Sequence, residues 1–554
     1  MAVSDLLATD DLTILLGVVT ASIFLLSNLY KPQSLVHPIL LGRQSDVSRV
    51  RNPGESAVYR YYGTGIMGRF PIRPAREVNT LLDHVKPEID APRTLWSTKI
   101  TNSALRERVA RFGTGLRRAG LKSSSNVLLL LNDGIEFLIT DLALAAQNIP
   151  SFTLSSQSLL APVLEAHPPT AIIIDAGFLP HALELILDSA EASHHVLVVL
   201  GEPDEKTARR ASEGIRLVRW SDIEAEGQGE LLGPSTPPTP ERVFSVSFYQ
   251  GEDGQMHGAQ LTHQNLTAGV TAVRALVPPS APLTGLDTIV SAHSLSTPYG
   301  RSVAYTALLE GCSFGTLPTS RVFKTDDSVA LGPLADLAAA KKLNLPAPTV
   351  LFVTPPHLDA LAGSVLAEAK KSLLFPLAWR HKLAAIFEGA LTRESMWDRL
   401  VLNDARLSAG AVTVRAVIAA GGRLPASSLT PARVALSAPV VLALAHPLST
   451  APLCATHPHD VQTFKIDDSA PAPIGPPVCN IEAKLAGVDD AAIEKGEDPV
   501  GTLLVRGPPV GKALVGGDDP AVEEAPEAEE PWVDTGVRVR VQTNGSFVVL
   551  DSSK

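Results

Sequence analysis

The residues best suited to chemistry lie in one run, Phe248-Tyr249-Gln250-Gly251-Glu252-Asp253-Gly254-Gln255-Met256-His257-Gly258, followed by Leu261-Thr262-His263-Gln264-Asn265-Leu266. An apolar strand is predicted over 244–248, then a glycine-rich loop, then a helix. Glycines in such a loop let backbone N–H groups close around phosphate oxygens, and a helix N-terminus adds its dipole. The side chains oppose that use. Glu252 and Asp253 are carboxylates, and two like charges about 4–5 Å apart cost on the order of 1–4 kcal/mol, depending on the effective dielectric.

Three other patterns carry less. Gly63-Thr64-Gly65-Ile66-Met67-Gly68 is a formal GxGxxG, but Pro71 and Pro74 follow where a helix would have to start, so a turn is expected. Gly311-Cys312-Ser313-Phe314-Gly315 matches a nucleophile elbow in letters only. The elbow needs a strand before it and a helix after it, whereas a helical run over 303–310 comes first and Pro318 follows. His457-Pro458-His459-Asp460 reads as an exposed turn, because Pro458 spoils helical pairing of the imidazoles and no third ligand is placed; no metal is expected.

The elements that must position the loop follow from hydrophobic patterning. Residues 103–119 read as an amphipathic helix and 135–146 as a second one. Residues 126–131, 171–174, 196–200 and 244–248 read as buried strands. Continuous apolar strands separated by helices imply an α/β fold with a mostly parallel sheet covered on both faces. The chain has 554 residues, 45% of them apolar, enough for a sizeable core. Its net charge is −11 and aromatics are 5%, so neither a basic stripe nor stacking platforms support a nucleic-acid partner. Cys312, Cys454 and Cys479 form no disulfide or zinc pattern.

Residues 12–30 carry no charge over 19 positions, about 28 Å as a helix and near the hydrocarbon thickness of a bilayer. Asp5, Asp10 and Asp11 precede them, unlike the basic leader of a secretory signal. Lys31, Arg43, Arg49 and Arg51 follow, so the positive-inside bias predicts a single-pass anchor in membrane lipid with the body in the cytosol. Glycans on Asn265-Leu266-Thr267 or Asn544-Gly545-Ser546 would reverse that orientation. Residues 31–75 read as an extended linker behind the 1–11 tail, and 521–530 as a solvated acidic loop.

The loop resembles the phosphate loop of the adenylate-forming (AMP-binding) superfamily, Tyr-Thr-Ser-Gly-Thr-Thr-Gly-x-Pro-Lys-Gly ahead of Leu-Thr-His. Gly251, Gly254 and Gly258 match its glycines. Other segments are similar to the long-chain acyl-CoA synthetase branch. Pro298-Tyr299-Gly300-Arg301-Ser302-Val303-Ala304-Tyr305 matches its His-Ile-Tyr-x-Arg-x-x-Glu segment, with Thr297 at the His and Ala304 at the Glu. Ser395-Met396-Trp397-Asp398-Arg399-Leu400-Val401 matches Ser-x-Trp-Asp-Lys-Leu-Val, a pair with no generic structural reason. Pro348-Thr349-Val350 matches the strand after the acyl pocket. Gly421 and Gly422, in Ala420-Gly421-Gly422-Arg423-Leu424-Pro425, match the loop near the adenine. Gly475-Pro476-Pro477-Val478 and the run 501–508 match two later segments.

The resemblance implies a large N-terminal domain of two mixed β-sheets flanked by helices over 76–440, then a small distorted β-barrel portion over 441–554, behind one N-terminal transmembrane helix. It also exposes departures. The loop lysine is His257, an imidazole in place of an ammonium. The Mg²⁺-holding Glu falls on Leu448, and the ribose-binding Asp of Trp-x-x-Thr-Gly-Asp falls on Val537, after Thr535 and Gly536. Asp551 sits at the hinge, and the small C-terminal lid domain with its lysine is expected to be absent. Gly251, Gly254, His257, Gly258, Gly421, Gly422, Thr535, Gly536 and Asp551 are therefore expected as a vestigial nucleotide site with no intact catalytic residue. No cofactor is expected to bind tightly. A catalytically impaired protein that retains a fatty acyl group or acyl-CoA, or regulates an active synthetase partner, follows. Endoplasmic reticulum is the expected membrane, with peroxisome or lipid droplet as alternatives. The second reading is an active long-chain fatty acid–CoA ligase using ATP, Mg²⁺ and CoA. A reading frame continuing past Lys554 also stays open.

Overall fold

The computed structural model describes residues 11–29, 35–188, 196–212, 215–234, 236–324, 331–464, 468–514 and 531–550. The acidic run 521–530 and Asp551 lie outside them. Three sheets organise the chain. The first has eight strands, and its parallel centre runs Val243–Gln250, Ser151–Leu154, Val127–Leu130, Ala171–Asp175, Val196–Leu200, Arg216–Arg219. The second, also of eight strands, has a parallel centre of Val440–Leu444, Ala416–Ala420, Val350–Val353, Thr288–Ser291 and Ser313–Thr316. The first carries antiparallel strands at one end and the second at both. The expectation of two mixed sheets therefore holds.

The strand centres are buried on both faces because βαβ crossovers place helices on each side. Ile135–Ala146, His263–Arg274 and Pro298–Glu310 lie between the sheets and share the main apolar core with Phe112, Leu129 and Ile418. Separate apolar clusters cover the outer faces: Leu128, Ile172 and Leu197 on the first sheet, Leu351, Val417 and Leu442 on the second.

The third sheet is wholly antiparallel: Ser45–Val47, Tyr59–Tyr61, Glu482–Ala486, Val500–Arg506, Val533–Val541 and Phe547–Val549. Its two ends meet. The Gln44 N–H donates to Asn544 O at 2.8 Å and Ser45 Oγ donates to Gly545 O, curling the sheet toward a distorted barrel. Two sequence readings change here. Within the expected linker 31–75, Ser45–Val47 and Tyr59–Tyr61 are strands of this sheet. Val440–Leu444 and Cys454–Ala455 belong to the second sheet, so the barrel portion starts later than 441.

A helix forms over Asp11–Leu29, with its described side chains exposed. Among the described residues, however, no helix is long and apolar enough to cross a membrane, so the expected spanning helix is not established by the fold. Two weak motifs resolve as structure. Residues 63–68 are turns. Gly311 closes the helix Pro298–Glu310 at φ 74°, and Ser313 opens the buried strand after it, the reverse of a nucleophile elbow.

Asp398 supplies the structural reason that the Trp-Asp pair lacks as a sequence signal. It is fully buried and accepts from Lys382 Nζ at 2.7 Å, Arg406 Nη1 at 2.8 Å and Ser395 Oγ at 2.6 Å. One carboxylate ties three segments together. His457 and His459 sit in a half-buried rather than exposed turn, and Asp460 is buried, accepting from Gln44 Nε2 at 3.1 Å.

Candidate functional site

The glycine-rich loop is a hairpin turn, not a direct passage from strand to helix. Val243–Gln250 pairs antiparallel with Met256–Thr262, and only then does the helix His263–Arg274 begin, capped by Thr262. The helix N-terminus is thus a whole strand away from the loop, so its dipole cannot serve a phosphate held there. Glycine is required at the turn. Gly254 has φ +75°, and a Cβ on Gly251 would stand 2.6 Å from Asp253 Oδ1 and from the His257 ring.

The loop's polar groups satisfy one another. Asp253 Oδ1 accepts from the Gln255 N–H at 2.9 Å, and both its oxygens lie 3.0 Å from His257 Nε2. The Gln255 amide and the His257 ring hold the Asp253 carboxyl below its ordinary range. The one basic side chain of the loop therefore faces a carboxylate of the same loop. Tyr249 stacks on His257 with centroids 5.7 Å apart, and burial pushes its phenol up to about 12.

A cavity of about 200 Å³ opens beside the loop, bordered by Glu252, Gly422, Arg423, Leu444, Ile474 and Val537 among others. It brings together three of the predicted regions: the turn, the Gly421-Gly422 loop after the strand Ala416–Ala420, and the strand Val533–Val541. Glu252 reaches across to Gly536, where an added Cβ would sit 3.7 Å from Glu252 Cγ. Thr535 is buried beneath, its hydroxyl donating to Leu503 O at 2.8 Å and accepting from the Val537 N–H at 3.2 Å. Val537 offers an apolar wall. Asp534, three residues earlier, accepts from the Gly536 N–H at 2.8 Å, a local turn bond.

Leu448 lies elsewhere. It is 2% exposed, belongs to the main apolar core, and its N–H donates to His446 Nδ1 at 3.2 Å. Gly421 stands by His293, whose ring meets Tyr299 edge-on at 4.9 Å. Burial pushes His293 down to about 4 and raises the Tyr299 phenol well above its ordinary value. His293 Nε2 and Tyr299 Oη have no partner among the described residues.

Two residues that sequence reasoning passed over belong to this neighbourhood. His446 packs edge-on to Tyr249 at 5.8 Å, and burial pushes it down to about 4 against the pull of the Thr535 backbone. It stands as a neutral imidazole between the loop and the ribose-side strand. Arg423 borders the cavity, and its Nη2 donates to Leu550 O at 2.5 Å. A lone histidine before a proline and an arginine within a glycine loop were the only signals either residue offered.

Magnesium-bound ATP fits these residues poorly. The side chains of Leu448 and Val537 carry no hydrogen-bonding atom, and Glu252 and Asp253 bring two carboxylates to the glycine loop, which disfavour a polyanion there. Among the described residues, no three His, Cys, Asp or Glu side chains cluster as a metal site.

Residues 84–514 match the family model of the AMP-binding enzymes. The chain is 26% identical over 384 residues to long-chain-fatty-acid–CoA ligase 1 of Homo sapiens, covering 68% of this chain and 51% of that protein. It is 26% identical over 470 residues to long-chain-fatty-acid–CoA ligase 5 of Rattus norvegicus, covering 82% and 64%. The chain thus spans about half to two-thirds of the curated relatives it matches. Among solved structures, a long-chain-fatty-acid–CoA ligase from Archaeoglobus fulgidus superposes with a TM-score of 0.58 at 12% identity, covering 87% of this chain and 85% of that one. An anthranilate–CoA ligase in complex with anthranoyl-AMP does so at 0.58 and 15% identity, covering 86% and 78%. At these identities the structures speak for the fold.

Proposed function

This chain belongs to the AMP-binding enzyme family, and from that premise we propose that it is an acyl-CoA synthetase-like protein impaired in the adenylation step. It keeps an acyl group or acyl-CoA as ligand and is held at a membrane by its N-terminal helix. The observation that carries the impairment is the loop. Its imidazole, His257, is paired with Asp253 at 3.0 Å, and Glu252 lies against Gly536 at the mouth of the cavity. A nucleotide's phosphates would meet carboxylates there, with no ammonium at the family's lysine position. Removing one preorganised donor typically costs about 10²–10³ in rate, and the positions of His257, Leu448 and Val537 each forgo one polar partner.

Acyl binding asks less of the chain, because an apolar pocket depends on shape and a few polar atoms rather than on phosphate donors. His293 Nε2 and Tyr299 Oη, buried without partners among the described residues, are suited to hold the polar end of such a ligand. The long-chain fatty acid–CoA ligases among its relatives point to a long-chain acyl group. The body is proposed to face the cytosol, at the endoplasmic reticulum or a related membrane, as a regulator of active synthetases.

ATP–pyrophosphate exchange with palmitate and Mg²⁺ tests the proposal on the purified full chain. The expected result is no exchange above a protein-free blank, while palmitate or palmitoyl-CoA still binds in a separate equilibrium assay. Measurable exchange would establish the second reading, an active ligase with unusual residues.

A further inference from the structure

The surface of residues 373–407 is more apolar than a solvated face requires. The helix Phe375–Phe387 buries Ala378, Lys382 and Ile386 on one stripe. The opposite stripe, Leu377, Arg380, Ala384 and Phe387, is exposed, as is Leu373 in the turn before the helix. Leu373 is 98% exposed, Leu377 53% and Phe387 67%. On the neighbouring segment Met396, Leu400 and Leu407 are 60%, 53% and 64% exposed. The frame beneath them is fixed: Asp398 binds Lys382 of the helix and Arg406 of the neighbouring segment. Six exposed large apolar side chains on two segments tied by one buried carboxylate are of the kind that marks an interaction site.

The chain itself indicates the occupant. The Leu35 N–H donates to Gly389 O at 3.1 Å, so the N-terminal segment arrives two residues beyond Phe387. From Leu29, the end of the apolar helix, to Leu35 is six residues, which span at most about 20 Å. With that helix in lipid, the Phe387 end of the patch is held within about 20 Å of the membrane. Ile39 and Leu40 extend the apolar surface along the same segment, 70% and 46% exposed. Lys371 is paired with Glu368 at 2.5 Å and exposed Glu388, Glu394 and Asp404 share these segments, while Lys370, Arg380 and Arg399 are exposed around the leucines. Their stems suit an apolar layer and their charged ends suit phosphate. They do so on a chain whose net charge is −11.

We propose that the face built from residues 373–407 docks on a phospholipid surface, so that the body lies against the membrane rather than hanging from a tether. The proposal rests on the reading that the N-terminal helix enters lipid, and the two are separable. The full chain is mixed with phosphatidylcholine vesicles, with and without phosphatidylserine. Flotation reports binding, and hydrogen exchange of peptides from 373–407 reports docking. Both are expected, with stronger protection when phosphatidylserine is present. Leu377→Asp/Phe387→Asp/Leu400→Asp changes only exposed side chains, so folding is retained. It is expected to abolish the protection while flotation persists. Leu16→Lys/Val19→Lys is expected to weaken flotation on the order of 100-fold, leaving the protection in whatever fraction still binds.

If the unchanged chain floats but 373–407 exchanges alike with and without vesicles, docking is overturned and the anchor stands. If Leu16→Lys/Val19→Lys floats and is protected like the unchanged chain, the anchor reading fails and docking stands. If the chain does not float, both fail. Protection that appears without lipid and rises with protein concentration assigns the face to a second copy of the chain and overturns the proposal.

Discussion

Replacing Glu252 with threonine isolates the electrostatic argument in one side chain. Glu252 is exposed at the turn, borders the cavity and lies beside Gly536. A nucleotide with its phosphates in the glycine loop would bring a phosphate oxygen within about 5 Å of this carboxylate. One pair of unit charges at that distance repels by about 0.8 kcal/mol in water and about 3 kcal/mol at an effective dielectric of 20. Exposure of Glu252 favours the lower half of that range, so Glu252→Thr is expected to strengthen ATP binding by about 5- to 30-fold. Calorimetric titration reads this directly, with adenosine as the uncharged control. The gain should appear for ATP, vanish for adenosine and shrink as salt is raised, because an exposed charge is screened. The reasoning is refuted if the unchanged chain already binds magnesium-ATP tightly, or if the substitution strengthens adenosine as much as ATP.

Three further outcomes follow from the same structure. Leu448→Glu, which returns the family's carboxylate, places a charge where a leucine is 2% exposed. It should cost about 2–5 kcal/mol of stability in urea unfolding and create no magnesium-dependent binding. Asp398→Ala should cost about 3–5 kcal/mol, because Lys382 and Arg406 become uncompensated buried cations; a thermal melt measures it. Stability should rise with pH between about 4 and 6.5. Burial holds His84 down to about 4 and His263 down to about 3, so the unfolded chain takes up their protons first as pH falls and their contribution, complete above 6.5, is lost. Burial raises Asp133 to about 6, which opposes this trend. Urea midpoints at pH 4.5 and 7 check the net sign, and His84→Asn should flatten the slope.

The core elements were legible because burial imposes a local pattern on the chain. The continuous apolar runs at 126–131, 171–174 and 196–200 became Val127–Leu130, Ala171–Asp175 and Val196–Leu200, since a strand covered on both faces admits no polar alternation. The helix over 135–146 was read residue for residue. Strands that gain partners only at long range were not legible. Ser45–Val47 and Tyr59–Tyr61 lie among prolines and glycines, and Tyr59–Tyr61 finds its other partner at Glu482–Ala486, more than 400 residues away.

For the site, the sequence alone determined which side chains are chemically unable to help: leucine at 448 and valine at 537 lack acceptors in any fold, and Glu252 and Asp253 bring negative charge wherever the loop goes. Only the tertiary structure decided what those side chains meet. The loop closes as a hairpin, so the helix start is carried one strand away from it. His257 turns onto Asp253, Glu252 reaches Gly536 across nearly 300 residues of chain, and His446 sits neutral beneath Tyr249. Residue type is a local property, whereas distance, burial and the protonation they impose belong to the packed molecule.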